Sequence, residues 1–435
     1  MGVSIAGYFV ERKASGVLDN LEATCVAVSD GKSTALLFSL DLVAIRRVCG
    51  DYCRQVAEAT GLPEEAVYIH CTHTHTGPAV GKSDADASES TSPLYNELLG
   101  TRLVDAAKFA LADLAPAKFS IGRGEARRIS FIRRYRMKDG SFRTNPGVNN
   151  PDIKEPIGSP DETVQLVRID REGKDAVAVI NFQTHPDVIG GTKISADWPG
   201  FARRTVELAL PGVKAIFFNG TQGDVNHVCT DPQPGEFNDL VNDFDDVARG
   251  YGHSRHMGRV VAGAVLSVWD KCEAVEADSV SVMKADIRVP SNMPRPEDIP
   301  LADKYNRLHV AGRDSEIPFE GMELTTVVAE AERMMRLKDG PEFFEMPISS
   351  VALGNAIAFA GFPGEPFTDI GRGVKSGSPF KMTICTCLTN GSCGYFPVAS
   401  AYAEGGYEAR SSVFGPTVAQ NLIDGQIAQL RKLYR

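Results

Sequence analysis

The sequence has 435 residues, of which 43% are hydrophobic and 23% charged, and its formal net charge is -10 with a pI near 5.4. This composition is typical of a globular protein with a large core. It argues against a general nucleic-acid binder, because neutralising phosphates requires an excess of Lys and Arg. No stretch approaches the roughly 20 apolar residues of a membrane span, and the first residues lack the order of a signal peptide. We therefore expect a cytoplasmic protein without stable membrane insertion, and nine scattered cysteines indicate reduced thiols rather than a disulfide framework.

Short apolar runs rich in β-branched residues alternate with helical patterns, which is typical of an α/β protein. In chain order, strands are predicted at 23–29, 34–42, 66–72, 164–169, 175–182, 214–218, 349–353, 356–361 and 381–388. Apolar spacings of three and four predict helices at 50–60, 94–114, 200–209, 254–270, 322–337 and 416–433. We expect a single domain over 1–435, with mixed β-sheets flanked by helices. Long irregular excursions are expected near 138–163, 220–250 and 287–320.

Polar residues follow the carboxyl ends of five predicted strands, the edge at which ligands bind in open α/β sheets. These residues are His73 and His75, His185, Asn219 and Asp224, Glu365, and Tyr395. The sequence therefore predicts that they meet at one rim.

The segment CTHTHTGP, residues 71–78, is the most specific motif. Residues two apart in an extended chain face the same way, so His73 and His75 should point together into a site while His70 points away. Two imidazoles can share the ligand shell of a metal, or one can lie beside it. The alternative is a hydrogen-bonded pair of loop histidines.

His185 stands before a proline that ends its strand, and Glu365 lies in a tight turn between Gly364 and Pro366. Each residue alone is equally typical of an ordinary strand end or an exposed turn. Together with His73 they make the set of two histidines and one carboxylate that is common in catalytic zinc sites.

Five ordered motifs resemble the catalytic domain of the neutral/alkaline zinc ceramidases. They are THTHTGP, the His185 segment, NGTQGDVNH, FPGEPFTDIGR and NGSCGYFPVASAYAEGGYEARSSVFGP, and the likeness covers nearly the whole chain. The resemblance implies one Zn²⁺ per chain, bound by His73, His185, Glu365 and Tyr395. It also implies that His75 assists the substrate beside the metal, that Tyr407 belongs to the active site, and that Arg133 contacts substrate.

The chain departs from the family pattern at two positions of the site. Asn226, followed by His227, stands where the family has a serine proposed to take part in amide cleavage, and Arg410 stands where a small residue is usual. We also expect the chain to lack the family's C-terminal immunoglobulin-like domain and secretion signal. These departures put ceramide specificity in doubt more than zinc-dependent hydrolysis.

The function predicted is ceramidase-like, zinc-dependent hydrolysis of an amide or ester bond. The expected substrate is a small molecule that is smaller and more polar than ceramide. One alternative is an amidohydrolase-type barrel, which needs further metal-binding histidines and an aspartate. Another is a non-catalytic metal-binding homologue, suggested by Asn226.

Arginines near the motifs, at 133, 134, 136 and 410, suggest an anionic substrate, unless they are solvated or paired with carboxylates. Asp197 and Asp224 are expected to support the site without binding metal, the alternative being plain turn formation. The oligomeric state is not predicted.

Overall fold

The computed structural model describes residues 2–7, 11–81, 92–234 and 250–435. The α-helices in these ranges are α1 (Cys49–Thr60), α2 (Pro93–Ala112), α3 (Asp197–Ala209), α4 (Tyr251–Val268), α5 (Ile299–Val310), α6 (Gly321–Leu337), α7 (Thr368–Gly377), α8 (Ala399–Glu404), α9 (Tyr407–Ser411) and α10 (Val418–Leu433).

The strands are β1 (Ser4–Ile5), β2 (Arg12–Lys13), β3 (Gly16–Val17), β4 (Ala23–Ser29), β5 (Thr34–Leu40), β6 (Val67–Cys71), β7 (Ala117–Glu125), β8 (Phe131–Ile132), β9 (Arg134–Met137), β10 (Phe142–Thr144), β11 (Ile153–Pro156), β12 (Thr163–Arg171), β13 (Ala176–Phe182), β14 (Lys193–Ile194), β15 (Val213–Asn219), β16 (Val225–Asn226), β17 (Glu273–Val275), β18 (Val280–Pro290), β19 (Phe343–Leu353), β20 (Ile357–Gly361), β21 (Glu365–Pro366), β22 (Met382–Thr386) and β23 (Tyr395–Phe396).

Three mixed sheets form the framework, in the orders β4-β5-β6, β15-β13-β12-β7-β17 and β18-β19-β20-β22. Each contains one parallel pair, namely β5–β6, β13–β15 and β20–β22, and its other pairs are antiparallel. The predicted α/β class with mixed sheets is confirmed. The described strands form separate sheets instead of the closed ring of parallel strands that an amidohydrolase-type barrel requires, so that alternative fold is wrong.

The central core lies where the three sheets face one another. Leu37, Ile216 and Phe359, one from each sheet, belong to the same buried cluster. The rings of Phe218 and Phe359 meet edge to face, with centroids 5.7 Å apart. Helices cover the outer faces: α1 and α2 on the first sheet, α3 and α4 on the second, and α7 and α10 on the third. Strands buried on both faces explain the continuous apolar runs of the sequence.

Some elements differ from the sequence predictions. The strands β7 and β18 and the helices α5 and α7 were not predicted, because their segments are rich in glycine or polar residues. The predicted excursion 287–320 contains α5, and the excursion 138–163 contains β10 and β11. Within the excursion 220–250, residues 235–249 lie outside the described residues.

All nine cysteines are free thiols. Among the described residues, no helix is both long and apolar enough to cross a membrane.

Candidate metal centre

His73 follows β6 at the edge where the three large sheets meet. Its φ of 77° lies in the left-handed region, which costs a non-glycine residue about 1–3 kcal/mol and is concentrated at functional sites. Its backbone N–H donates to the oxygen of Leu42 at 2.9 Å, and its ring Nδ1 donates to the oxygen of Val43 at 2.8 Å. Because a carbonyl oxygen can only accept, the Nδ1 carries a proton, and in the neutral ring Nε2 keeps its lone pair.

His75, in the same motif, and His70, just before it, take the orientations that their spacing predicts. The Nε2 of His75 lies 3.1 Å from the Nε2 of His73. His70 points away from the centre, packs against Phe218 at 5.1 Å between ring centroids and accepts a hydrogen bond from the backbone of Asn219 at 3.0 Å.

His185 follows β13 and is buried. Its Nδ1 lies 2.9 Å from the backbone oxygen of Gln222, in the loop that follows β15, and 2.9 Å from that of Val225, at the start of β16. This shared hydrogen bond fixes the same tautomer as in His73, so that the Nε2 lone pair is again available.

Glu365 and Tyr395 are direct partners in the parallel ladder β21–β23, where the backbone N–H of Glu365 donates to the oxygen of Gly394 at 2.9 Å. Glycines make this close approach possible. A Cβ at Gly364 would lie 2.5 Å from the oxygen of Gly394, and a Cβ at Gly223 would lie 2.5 Å from the oxygen of Glu365. The tight turn predicted around Glu365 therefore serves to bring three chain segments together.

The ligand atoms of these residues converge. The Oε2 of Glu365 lies 3.3 Å from the Nε2 of His73 and 3.2 Å from the Nε2 of His185. The ligand atoms of His73, His75 and His185 lie within 4.8 Å of one another, so this cluster could hold a metal ion. In neutral rings with Nδ1 protonated, the two Nε2 lone pairs face the Glu365 carboxylate, an arrangement that a bound cation would stabilise. Ligands placed 2.0–2.2 Å from a tetrahedral metal are themselves about 3.3–3.6 Å apart, which the observed separations approach.

Two tyrosines line the same centre. The ring of Tyr395 stacks on His185 at 6.5 Å between centroids and meets Tyr407 edge to face at 5.8 Å. The guanidinium carbon of Arg133 lies 5.4 Å from the centroid of the Tyr395 ring. The structure thus brings Tyr395, Tyr407 and Arg133 to the histidine cluster, and their catalytic or metal-binding roles stay predictions.

Burial and neighbouring charges set the protonation of the centre. Burial alone would raise the pKa of Glu365, but His73 and His185 hold that pKa well below its usual range. Burial, together with His73, depresses the pKa of His75. Burial and the Glu365 charge raise the pKa values of Tyr395 and Tyr407. Burial also lowers the pKa of His185, so at neutral pH the centre combines the Glu365 carboxylate with neutral imidazoles at His75 and His185 and with neutral phenols.

Arg133 is held in place by Glu408, a residue that the sequence analysis missed. Its Nε lies 2.6 Å from the Oε1 of the fully buried Glu408, and its Nη2 donates to the oxygen of Gly223 at 2.8 Å. Its Nη1 lies 3.4 Å from the Nε2 of His185. Burial opposes the charge on Arg133, but Glu408 raises its pKa. The adjacency of Glu408 to Tyr407 in the YEARSS segment was the available signal.

Asn226 lies in β16, which pairs with β8. Its Nδ2 donates to the Oδ1 of Asn145 at 2.9 Å, and its Oδ1 accepts from the backbone of Val228 at 3.0 Å. Both polar groups of the side chain therefore have protein partners, and the predicted catalytic role of Asn226 stays a prediction.

A second buried polar group was also missed. The Nδ1 of His227 lies 3.2 Å from the Oδ1 of Asp187, and its ring lies 5.4 Å from that of His253. Burial would raise the pKa of Asp187, yet its hydrogen bond and charge interaction with His227 hold that pKa below its usual range. Asp187 follows His185 by two positions, and this was the signal for finding it.

The hydrogen bonds of Asp224 and Asp197 fit the predicted supporting role. The Oδ1 of Asp224 accepts from both the backbone N–H and the hydroxyl of Thr368, each at 2.8 Å, which anchors the start of α7 just after Glu365. The Oδ2 of Asp197 accepts from the backbones of Val188 and Ile189, each at 3.0 Å, which holds the chain just after His185.

The remaining arginines expected to attract an anion are ion-paired. Arg134 lies 2.8 Å from Glu404, and Arg136 lies 3.2 Å from Glu155. The Nη2 of Arg410 lies 2.6 Å from Glu330 on α6. At these three positions the alternative, that the arginines are paired with carboxylates, is the one observed.

Comparison with known proteins gives a consistent likeness. No family model matches the sequence. The chain is 25% identical over 439 residues to the neutral ceramidase of Mycobacterium tuberculosis (strain ATCC 25618 / H37Rv), an alignment that covers 89% of this chain and 67% of that protein.

Two solved structures share the fold. The crystal structure of neutral ceramidase from Pseudomonas aeruginosa superposes with a TM-score of 0.73 at 18% identity, covering 100% of this chain and 73% of that one. A ceramidase complexed with C2 gives a TM-score of 0.72 at 17% identity, covering 100% and 74%. The predicted ceramidase catalytic-domain-like fold is confirmed.

Proposed function

We propose, on the premise that the chain is a homologue of neutral ceramidase, that it is a zinc-dependent hydrolase of amide or ester bonds. The observation that carries the proposal is the convergence of Glu365 with the Nε2 atoms of His73 and His185 at 3.2–3.3 Å. Imidazole nitrogens and one carboxylate are the ligand types of catalytic zinc sites. Tyr395, the ladder partner of Glu365, would supply the fourth protein ligand.

Zinc, when bound, lowers the pKa of a coordinated water to about 7 and polarises a scissile carbonyl. The residues around the metal would accept and donate protons and would position the substrate. His75, held neutral by burial, can accept a proton at one ring nitrogen and release it to a leaving group. Tyr407 keeps its phenolic proton and can donate to an oxygen that becomes negative in the transition state.

Arg133 lies beside the centre, with its Nη1 3.4 Å from the Nε2 of His185. Its guanidinium is locked by Glu408 and by the oxygen of Gly223, so it can orient a substrate oxygen without moving. Because Glu408 balances its charge, it does not leave a net positive pocket.

We propose a substrate smaller and more polar than ceramide. Polar surroundings support this: buried Arg133 lies beside His185, and buried Glu408 lies behind Arg133. The pairing of Arg134, Arg136 and Arg410 with carboxylates removes the main electrostatic reason for an anionic substrate. The proposal therefore rests on polarity and not on negative charge.

The test begins with the metal content of the purified protein and of His185→Ala, with His309→Ala as the matched control, since His309 is exposed on α5. We expect about one zinc per chain in the wild type and the control, and a large loss in His185→Ala. Wild-type protein without zinc affinity would overturn the metal assignment.

Turnover is then measured on a short-chain fluorescent ceramide, N-acyl amino acids, lactones and small amides, before and after chelation. Turnover that is lost on chelation and restored by zinc supports the hydrolase. Zinc binding without turnover on any substrate would favour the non-catalytic homologue. Efficient ceramide cleavage, with the polar amides untouched, would overturn the substrate proposal.

A cytoplasmic location also remains a proposal. The nine free cysteines support it, because reduced thiols are typical of reducing compartments. Fractionation of cells that express the full chain would test it.

A further inference from the structure

The outer face of α2 carries large apolar side chains. Leu94, Leu98 and Phe109 are 76%, 47% and 73% exposed, while Leu99 and Leu103 on the opposite side of the helix pack into the core. A surface helix normally presents polar residues to solvent. Single exposed leucines are common, but three large apolar groups on one helix face are a feature that needs a partner.

A groove runs beside this face. A cavity of about 390 Å³ lies between α2 and the segment that begins at Leu21, and Leu98, Arg102, Asp105 and Phe109 form its helical wall. The apolar stripe therefore continues into a concave surface, which gives an incoming helix a place to lie.

The part of the stripe from Leu98 to Phe109 is complementary to itself. In two helices packed antiparallel about a twofold axis, each residue lies opposite the one equally far on the other side of the axis. With the axis between Leu103 and Val104, Leu98 lies opposite Phe109 of the second copy, and Arg102 lies opposite Asp105. The apolar pair and the charged pair share one centre, so a single arrangement satisfies both.

Charges farther along α2 agree with this arrangement. Glu97 stands in the first half of the helix and Lys108 in the second, so antiparallel packing brings opposite charges together at both ends. Within one chain, Arg102 and Asp105 form an exposed pair at 3.6 Å. Such exposed ion pairs contribute little to stability. Replacing the pair within one chain by pairs between two copies therefore costs little free energy.

We propose that this face of α2 is the interface of a homodimer, in which a second copy of the chain packs its own α2 antiparallel across the first. An α2 of 20 residues is about 30 Å long. Stable interfaces bury about 1,200–2,000 Å² in total, so a helix pair with its flanking grooves falls at the low end. We expect a dissociation constant of roughly micromolar order.

The test is sedimentation velocity of the full chain over a concentration series. The wild type is expected to shift from monomer to dimer as concentration rises. Leu98→Asp and Phe109→Asp should remain monomeric at every concentration. The matched control is Leu208→Asp, because Leu208 is 84% exposed on α3, outside the proposed interface; it should dimerise like the wild type. Circular dichroism checks that each variant is folded.

Charge reversal makes the test specific to the antiparallel register. Arg102→Asp alone places two aspartates opposite each other, and Asp105→Arg alone places two arginines opposite each other, so each single variant should dimerise at least 10-fold more weakly. Mixing the two single variants should form a one-to-one heterodimer, and the double variant should recover the homodimer. A wild type that stays monomeric would overturn the proposal. So would a dimer that persists in Phe109→Asp, or single variants that do not recover when mixed.

Discussion

The side-chain amide of Asn219 donates to the backbone oxygen of Thr72 at 3.0 Å, one position before His73. The same nitrogen donates to the oxygen of Thr184 at 3.1 Å, one position before His185. One buried side chain thus joins the ends of two strands from different sheets and sets the distance between the two histidines.

We predict that Asn219→Ala lowers zinc affinity about 10- to 100-fold, the effect typical of groups that orient metal ligands. It should also destabilise the protein by about 1–3 kcal/mol, because two buried oxygens lose a donor. Competition with a chromogenic chelator and chemical denaturation measure the two effects. Asn181→Ala is the control, since that amide donates to Phe218 and Cys385. It should cost similar stability but leave zinc affinity near that of the wild type; an equal loss of affinity in both variants would contradict the positioning role.

The carboxyl of Asp197 should give the protein a distinctive pH dependence. Burial raises its pKa to about 6, although Ser254 and backbone amides oppose the shift. Because the folded pKa exceeds the unfolded value, the folded state binds the proton more tightly. The contribution of Asp197 to stability is thus largest below about pH 4 and declines until about pH 6, by about 3 kcal/mol in all.

We therefore predict that the difference in unfolding free energy between wild type and Asp197→Asn declines over this pH range. Asp197→Asn is less stable because it loses a hydrogen-bond acceptor. Its unfolding free energy should not show the decline with pH that Asp197 causes. Asp424→Asn, at an exposed position on α10, serves as the control and should keep it. Parallel pH profiles for wild type and Asp197→Asn would refute this prediction.

Replacing only one residue of the ion pair between Arg133 and Glu408 should strongly destabilise the protein. Arg133→Met would leave the Glu408 carboxylate buried without its partner, and we expect a loss of about 3–5 kcal/mol. The double variant Arg133→Met/Glu408→Leu should recover much of that stability without recovering turnover, if Arg133 also orients substrate.

Denaturant titration and kinetic assays of both variants test this prediction. Arg136→Met is the control, because its pair with Glu155 is exposed, and it should cost less than about 1 kcal/mol. Full turnover in the double variant would show that Arg133 is only structural.

Arg410 should act on the site through α6. It pairs with Glu330 while lying three positions after Tyr407 on the same short helix, α9. We predict that Arg410→Ala and Glu330→Ala each lower kcat by a similar factor, because each loosens the helix that carries Tyr407. The double variant should be little worse than either single one, with a coupling energy of about 1 kcal/mol.

A kinetic double-mutant cycle on the best amide substrate measures this coupling. Arg295→Ala, which removes an exposed pair with Asp298, is the control and should leave kcat unchanged. A selective loss of anionic substrates in Arg410→Ala, with Glu330→Ala unaffected, would instead restore the idea of Arg410 as an anion-binding residue.

The sequence by itself determined the α/β class and most strands that deliver the site. Continuous apolar runs such as AVAVINF mark strands buried on both faces, and the polar residues that follow them stand out by contrast. His73, His185 and Glu365 could be chosen in this way because strand ends are a local property. The strands β7 and β18 and the helix α7 escaped prediction, because glycines and polar residues weaken the local signal and tertiary packing supplies the missing stability.

Only the tertiary structure decided which charged side chains near the centre are paired with an opposite charge. Glu408 and Arg133 are 275 positions apart in sequence, and Arg410 and Glu330 are 80 apart, yet each pair is in contact. Pairing over such distances depends on how sheets and helices pack, since no local pattern encodes it. For the same reason the sequence suggested a positively charged pocket, whereas the folded chain balances each of those arginines with a carboxylate.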